Sequence, residues 1–304
     1  MSERKHWSVK NFQKLRPALG QYTSPVVTEL MESVEGMEGS DLSLLEIAVF
    51  FTPEPIGLAH VYQRGPYANP DMHKQRLEGA RDRGWLENRA DSSYGPSQKG
   101  LDFYTQVAAA YYAKLDEVES IAAGQLEKID AALSIVVKTA RESTQVMHKP
   151  ALVLTMKEPL PDDASGLRKV QLYSEQMLAF RDDAHVASWS PYKLEGIVWE
   201  SLSDIWEETA GTPTEMAEKR PFRGYDEKDY ASAFAALVER EWTAEADGRY
   251  IITDEGRKIR EKAEKLTNQY YDSAWEGLSE ADEQELEKLF KLLLDKHEPE
   301  PVPA

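Results

Sequence analysis

The fold is decided by the stretch Arg81-Asp82-Arg83-Gly84-Trp85-Leu86-Glu87-Asn88-Arg89-Ala90-Asp91-Ser92-Ser93-Tyr94, followed by Ser97-Gln98-Lys99-Gly100. A second stretch repeats its layout: Val238-Glu239-Arg240-Glu241-Trp242-Thr243-Ala244-Glu245-Ala246-Asp247-Gly248-Arg249-Tyr250, then Thr253-Asp254-Glu255-Gly256. In both, a helix end runs into a tryptophan strand, a polar tip, a return strand and a Ser/Thr-x-x-Gly helix start. This internal repeat predicts two copies of one helix–hairpin–helix unit, the alternative being two unrelated pieces.

The residues before each tryptophan strand predict further helices. Asn69 followed by Pro70 is a typical helix start, and Gly84 is a typical helix end, so one helix is expected between them. Ser43-Leu44-Leu45-Glu46 fits a capping box that would open another helix. Residues 9–34 are expected to form one or two short helices broken near Pro17 and Gly20.

The expected fold class is mainly α with small β-hairpins, with tandem winged-helix units joined by long helices. Residues 1–147 would hold the N-terminal helices, the first unit and a long helix that breaks near Gly124. The Pro- and Asp-rich residues 148–166 would form a linker, and residues 167–296 the second unit with the C-terminal helices. Residues 297–304 are expected to be a disordered tail.

Composition restricts the class of protein. The 304-residue chain has no cysteine, which excludes disulfides and thiolate metal sites and suits a cytoplasmic location. It contains no apolar run long enough to span a membrane, so a soluble protein without a membrane partner is expected. We find no phosphate-binding, nucleophile-elbow or metalloprotease motif, and the six histidines do not fall at metal-ligand spacing. No enzyme activity, metal or cofactor is therefore predicted.

The charge is uneven along the chain. The net charge of −18 opposes binding to phosphate, but screening allows a local positive surface to persist on an acidic protein. Residues 60–100 hold seven basic and five acidic residues, whereas residues 194–252 hold six basic and fourteen acidic residues. The first unit is therefore the better candidate for contact with DNA.

Ile251-Ile252-Thr253-Asp254-Glu255-Gly256-Arg257 resembles the wing-to-helix signature of MarR-like winged-helix transcription regulators. Arg81-Asp82-Arg83-Gly84-Trp85-Leu86-Glu87 resembles the end of their recognition helix and the first wing strand. The whole chain, with Arg181-Asp182-Asp183-Ala184-His185-Val186-Ala187 between the units, is similar to a family of bacterial two-unit helix-turn-helix proteins. This resemblance implies a winged-helix fold and DNA binding more than it implies a known ligand.

The resemblance implies that the helix from Asn69 to Arg83 is a recognition helix lying in a major groove. Because Leu77, Ala80 and Gly84 would face the core, helical spacing points four residues outward. These four are Lys74, Gln75, Glu78 and Arg81. Lys74, Gln75 and Arg81 are candidate DNA contacts.

Two basic residues near the wing suit contacts to phosphate: Arg89, and Lys99 at the start of the next helix. The alternative is an ordinary solvated helix face in a highly charged protein, because Glu78 and Asp82 interrupt the basic surface.

The second unit departs from this pattern. Its equivalent helix begins Asp226-Glu227-Lys228-Asp229, whose carboxylates would repel phosphate. Only Lys228, Arg240 and Arg249 would attract phosphate there. The second unit would then serve as a scaffold, or as the partner half of a pseudo-dimer. Both a monomeric pseudo-dimer and a homodimer remain open.

The middle of the chain is rich in aromatic residues. Five residues there are candidates for a pocket that binds an apolar small-molecule effector: His185, Trp189, Tyr192, Trp199 and Trp206. The alternative is an aromatic core that packs the two units together, with a satisfied buried histidine. The leading function is a MarR-like transcription regulator that binds duplex DNA with its first unit, under effector control. The rival is a winged-helix module that binds a small molecule or a protein and no longer binds DNA.

Overall fold

The computed structural model describes residues 6–90, 92–161 and 163–298, and within them the fold is mainly helical with two small hairpins. The chain begins with α1 (His6–Glu32). The first winged-helix unit follows as α2 (Gly39–Phe51), α3 (Leu58–Arg64), α4 (Pro70–Asp82), β1 (Leu86–Asn88), β2 (Tyr94–Pro96) and α5 (Gln98–Asp116). Three helices connect it to the second unit: α6 (Ala123–Glu142), α7 (Pro150–Thr155) and α8 (Gly166–Trp189).

The second unit repeats the order of the first as α9 (Gly196–Trp206), α10 (Pro213–Lys219), α11 (Glu227–Glu239), β3 (Thr243–Ala246), β4 (Arg249–Ile252) and α12 (Asp254–Asp272). The chain then continues into α13 (Glu280–His297). The helices that precede the tryptophan strands, α4 and α11, both have 13 residues, and the helices that follow the wings, α5 and α12, both have 19. The predicted fold class is therefore confirmed.

The repeat extends to individual hydrogen bonds. The Ser97 hydroxyl accepts from the Gly100 N–H at 3.0 Å and donates to the Gly84 carbonyl. In the second unit, Thr253 accepts from the Gly256 N–H at 3.1 Å and donates to the Glu241 carbonyl. Each hydroxyl thus caps its helix and fixes the end of the preceding helix, so the two units share one closing device.

A close backbone approach explains the glycine in each Ser/Thr-x-x-Gly start. A Cβ at Gly100 would lie 2.2 Å from the Trp85 carbonyl oxygen, and one at Gly256 would lie 2.0 Å from the Trp242 carbonyl oxygen. Since both neighbouring atoms are backbone, only glycine fits at these positions.

Both hairpins are antiparallel and belong to separate sheets. β1 pairs with β2 in the register Leu86–Pro96, and β3 pairs with β4 in the register Thr243–Ile252. At the second tip, Asp247 and Gly248 have φ angles of 53° and 75°, as a type I′ turn requires and the Asp-Gly pair predicts. At the first tip, Asp91 lies outside the described residues.

The apolar side chains of the described residues form three cores. One lies inside each winged-helix unit and includes Trp85 or Trp242. The third, here called the bundle core, is built by α1, α6, α8 and α13 together with the residues after α12. Phe12 of α1 packs against Phe290 of α13 with ring centroids 5.0 Å apart. The two ends of the described chain therefore share one core.

The expectation of short helices over residues 9–34 was wrong. α1 is continuous over 27 residues and contains both Pro17 and Pro25. Each proline removes one backbone hydrogen bond, but burial of Phe12, Leu15 and Leu19 holds the helix in place.

The predicted linker over residues 148–166 contains structure. Its residues Ala151 and Leu152 are buried in α7. The Asp183 carboxylate accepts from the backbone N–H groups of both, at 3.0 and 2.9 Å, and so fixes the start of α7 to α8. Asp162 lies outside the described residues. The proposed division of the chain into domains stays a prediction.

Three predicted boundaries move. α2 begins at Gly39, where Asp41 accepts from the Glu38 N–H, so the capping box at Ser43–Glu46 was wrong and Glu46 lies inside the helix. The break expected near Gly124 falls before it, between α5 and α6. The disordered tail was predicted to begin at His297, but His297 is buried and is the last residue of α13. Residues 299–304 lie outside the described part of the chain.

Within the described ranges, none of the helices combines the length and the apolar composition that crossing a bilayer requires.

Candidate DNA-binding surface

The first unit presents α4 in the position of a recognition helix, after α3 and a short turn. The Asn69 side chain caps α4 by accepting from the Asp71 N–H at 2.9 Å, as the sequence predicts. Leu77 and Ala80 are buried against the core, and the His73 ring lies 3.2 Å from the Gly65 carbonyl oxygen. These contacts fix which side of α4 faces outward.

Lys74 and Gln75 lie exposed on the outward side of α4. Among the described residues, no carboxylate lies within ion-pair distance of the Lys74 ammonium group. A free ammonium and a free carboxamide on adjacent positions of a helix can contact phosphate and base edges, respectively.

The other three predicted DNA contacts have partners within the protein. Arg81 pairs with Asp82 at 2.7 Å, and Arg89 pairs with Glu87 at 2.8 Å. The Lys99 ammonium lies 3.8 Å from the centroid of the Trp85 ring and donates to the Arg83 carbonyl at 3.1 Å. Since the two ion pairs are solvent-exposed and therefore weak, a phosphate could displace the carboxylates. Their role in DNA contact stays a prediction.

Arg83, also basic and next to this surface, is held by structural contacts. Its guanidinium makes hydrogen bonds of 2.8 and 2.6 Å to the fully buried Asp41, and it pairs with Glu38 at 2.9 Å. It therefore joins α4 to α2 and is not a candidate for contact with DNA.

The second unit has no cation at the corresponding positions. Counted back from Trp242, the equivalents of Lys74, Gln75 and Arg81 are Ala231, Ser232 and Val238, all exposed. At the start of α11, Asp226 is a helix cap that accepts from the N–H groups of Lys228 and Asp229. On the wing, Arg249 pairs with Glu215. The outward side of α11 is thus poor in groups that bind phosphate.

The two units meet at the N-terminal end of α4. The Asn69 N–H donates to the Arg223 carbonyl at 2.8 Å, and the Asn69 carboxamide donates to the Gly224 carbonyl at 3.0 Å. Gly224 has a φ of 73° and lies against Met72. The loop before α11 therefore covers one side of the first turn of α4. We call this contact between the loop and α4 the inter-unit contact.

A second layer supports the inter-unit contact. The Arg223 guanidinium binds the buried Glu200 carboxylate at 2.7 Å and lies 5.5 Å from the Tyr67 ring centroid. The Tyr67 hydroxyl accepts from the Trp189 indole N–H at 3.1 Å. Burial raises the pKa of Tyr67 far above its usual value, so this hydroxyl stays protonated.

The five aromatic residues predicted to line a pocket pack mainly against one another and against Arg260. The Trp199 ring is stacked between Trp189 and Tyr192, with centroids 5.7 and 5.9 Å away. Arg260 lies 4.7 Å from the Trp206 ring and 5.5 Å from that of Trp199. This arrangement fits the aromatic core that was the alternative interpretation of the sequence, and the pocket at these residues stays a prediction.

His185 lies at the edge of this aromatic core. Burial lowers its pKa below the ordinary histidine value, and Arg260 acts in the same direction, so the ring is neutral at pH 7. The Trp199 indole N–H lies 3.4 Å from His185 Nε2. A neutral, partnered histidine fits a packing role.

A cavity of about 1140 Å³ lies elsewhere, between α1, α2, α5 and α8, and its lining includes none of the five predicted pocket residues. Sequence reasoning missed its polar residues, above all Glu46. The signal that could have found Glu46 is its position as the charged residue in the apolar run Leu44-Leu45-Glu46-Ile47-Ala48-Val49.

Comparison with known proteins adds one match. Residues 160–298 match the model of a helix-turn-helix family, and these residues contain α8, the whole second unit and α13. No curated protein and no solved structure matches the chain. The match favours a DNA-binding regulatory protein over an enzyme, and the part of the chain from 160 to 298 contains a helix-turn-helix domain of the general type that binds DNA.

Proposed function

We propose that the protein is a MarR-like transcription regulator that binds duplex DNA chiefly through α4 and the wing of its first unit. The supporting observation is the exposed, unpaired Lys74 beside Gln75 on the outward side of a helix that occupies the recognition position. The first unit has the same element order as the unit that matches the helix-turn-helix family, which supports the same general assignment for it.

The second unit acts as a scaffold for the first. Its recognition-position helix α11 presents Ala231, Ser232 and Val238 where α4 presents a lysine, a glutamine and an arginine. Because regulators of this kind read two half-sites about one helical turn apart, the second reading helix would come from another copy of the chain. A homodimer therefore fits better than a pseudo-dimer within one chain.

The test is binding to labelled genomic duplexes, including the promoter of the protein's own gene, measured by fluorescence anisotropy from about 50 to 200 mM salt. We expect affinity to fall steeply with salt, because binding releases counterions. Lys74→Ala should weaken binding at least about fivefold, and should lower the slope of log K against log salt by roughly one if Lys74 neutralises a phosphate.

Lys228→Ala is the matched control, because Lys228 is an exposed lysine near the start of α11. It should leave affinity within about twofold of the unsubstituted protein. Absence of binding to every fragment at about 50 mM salt would reject DNA binding. Equal losses from Lys74→Ala and Lys228→Ala would reject the first unit as the main reader.

A second candidate function is a winged-helix module that no longer binds DNA and binds a small molecule or a protein instead. The observation that favours it is the pairing of Arg81 and Arg89 with neighbouring carboxylates in a chain of net charge −18. It predicts no DNA binding at low salt together with measurable ligand binding.

A further inference from the structure

The cavity between α1, α2, α5 and α8 is large enough for a drug-sized molecule, at about 1140 Å³. Its walls come from parts of the chain that are far apart in sequence. Helices α2 and α5 belong to the first unit, whereas α8 leads into the second, and α1 closes the remaining side.

Three partly buried carboxylates lie on different walls of this cavity. Glu46 comes from α2, Glu175 from α8, and Glu158 from the segment between α7 and α8. Glu29 and Glu32 of α1 add two further acids to the lining, against which stand only Arg16 and Arg168. The lining therefore carries an excess of negative charge.

One of the two arginines is already engaged. The Arg168 guanidinium stacks 3.4 Å from the centroid of the Tyr112 ring and donates to the Pro159 carbonyl at 3.1 Å. Arg16 lies exposed on α1. Its charge opposes the rise in the pKa of Glu46 and Glu175, but burial outweighs it, and the pKa of both carboxyl groups stays raised.

Glu158 and Glu175 lie near enough to Glu46 to raise its pKa by their charge. In the parts of the chain that the structure describes, no group of three His, Cys, Asp or Glu side chains is placed to hold a metal ion. The volume of the cavity fits an organic molecule.

Aromatic faces accompany the acids. Tyr104, Tyr111 and Tyr112 of α5 all line the cavity, and the last two rings are perpendicular with centroids 5.4 Å apart. Tyrosine rings beside carboxylates attract organic cations through both the ring quadrupole and the negative charge.

A buried polar atom without a partner supports the same site independently. Gln171 lines the cavity with only 6% of its surface exposed, and its Oε1 has no hydrogen-bond partner among the described residues. Its Nε2 donates to the Tyr111 hydroxyl and lies 3.4 Å from Glu175 Oε1. A free buried acceptor is costly unless a ligand or an ordered water donates to it, and in a cavity of this size a ligand can do so.

We propose that this cavity binds an organic cation, in which an ammonium or similar head is carried on an aromatic or aliphatic body. The charged head would lie between Glu46 and Glu175, and the body would pack against the tyrosine rings of α5. This binding stands whether or not the protein binds DNA.

The protonation of Glu46 should make binding of the cation sensitive to pH. Burial raises the pKa of Glu46 to about 7, with Glu158 and Glu175 acting in the same direction and Arg16 and Arg64 opposing it; Tyr104 also faces this carboxyl group. A cation favours the ionised carboxylate, so its binding expels a proton near pH 7. Affinity for a cation should therefore rise between pH 6 and pH 8.

The test compares 2-phenylethylammonium with 3-phenylpropanoate, which have similar shapes and opposite charges, and of which only the ammonium can donate to Gln171 Oε1. Isothermal titration calorimetry of the full chain, in sodium buffers, should show the cation binding at least tenfold more tightly than the anion. The cation should also bind more tightly at pH 8 than at pH 6 and release protons, detected by repeating the titration in buffers of different ionisation enthalpy. Equal affinity for the two probes, or tighter binding of the anion, would overturn the proposal.

Glu46→Gln and Glu175→Gln test whether binding of the cation depends on the negative charges of these two cavity residues. Each should weaken binding of the cation at least tenfold and leave the anion unaffected or more tightly bound. Glu127→Gln, an exposed position on α6 outside the lining, is the control and should change nothing.

Glu46→Gln should fold, because it removes a carboxylate whose ionisation burial disfavours; its thermal midpoint at pH 8 should not fall below that of the unsubstituted protein. Unchanged affinity for the cation in both folded variants would show that binding occurs elsewhere and would reject this site.

Discussion

At Gly100 and Gly256, a close approach to the backbone leaves room for no residue other than glycine. Each lies in the first turn of the helix after the wing, directly against the carbonyl oxygen of the tryptophan in the repeated layout, Trp85 or Trp242. Neither neighbour can move cheaply, since both carbonyl groups also accept a backbone hydrogen bond from the cap residue, Ser97 or Thr253.

Replacement of Gly256 by alanine should therefore destabilise the protein by about 2–3 kcal/mol, through overpacking against backbone. Urea unfolding followed by circular dichroism would measure the loss. Gly124→Ala is the matched control, because an added Cβ there meets nothing within 4 Å in the first turn of α6. It should raise the free energy of unfolding by about 0.5–1 kcal/mol, as alanine is the better helix residue. A loss for Gly256→Ala no larger than the change at Gly124 would contradict the close approach.

At the scale of elements, the inter-unit contact determines how much of α4 is available. Recognition helices use their N-terminal residues to reach base edges, and in this protein one side of that turn lies against the loop before α11. Pro70, Asp71, Lys74 and Gln75 remain exposed. The N-terminal part of α4 is thus partly covered and partly exposed, and loosening the inter-unit contact would expose more of it.

Asn69→Asp should loosen this contact while preserving the helix start. Aspartate keeps the oxygen that caps α4 but cannot donate to the Gly224 carbonyl, so about 1 kcal/mol of the contact is lost. Hydrogen exchange of the Asn69 amide, which donates to the Arg223 carbonyl, should then accelerate about fivefold. The Leu77 amide, deeper in α4, serves as an internal reference and should exchange at an unchanged rate. No acceleration at residue 69 would mean that the carboxamide contributes nothing to the contact.

For the whole molecule, the bundle core makes the two units depend on each other. Helices α1 and α13 pack together with α6 and α8, and the ring of Phe290 contacts those of both Trp7 and Phe12. Two units held by a shared core should unfold together, because neither keeps its surroundings when the bundle opens.

Phe290→Ala should cost about 3–5 kcal/mol and lower a single unfolding transition. Circular dichroism, which follows all helices, and tryptophan fluorescence should report the same midpoint. Leu292→Ala, on the same helix but 43% exposed, should cost much less. Two separate transitions, with only one shifted by Phe290→Ala, would show instead that the units unfold independently.

The helices around each wing, the hairpins and the repeat could be predicted from local chemistry. Asn69 and Ser97 cap helices through atoms a few residues away. Asp247 and Gly248 are residue types that tolerate the positive φ angles of a type I′ turn, so a short stretch of sequence contains everything that these features need. The outward position of Lys74 and Gln75 followed in the same way from helical spacing.

Three features depend on how the helices pack and could not be predicted from the sequence: the continuity of α1, the contact between Asn69 and the loop before α11, and the cavity that contains Glu46 and Glu175. The same holds for the aromatic cluster of His185 and Trp199, whose composition is typical of a packed core but is also compatible with a pocket. The physical reason is that burial and charge neutralisation depend on distances between residues that are far apart in sequence. Those distances are fixed by how helices pack, which no local pattern encodes.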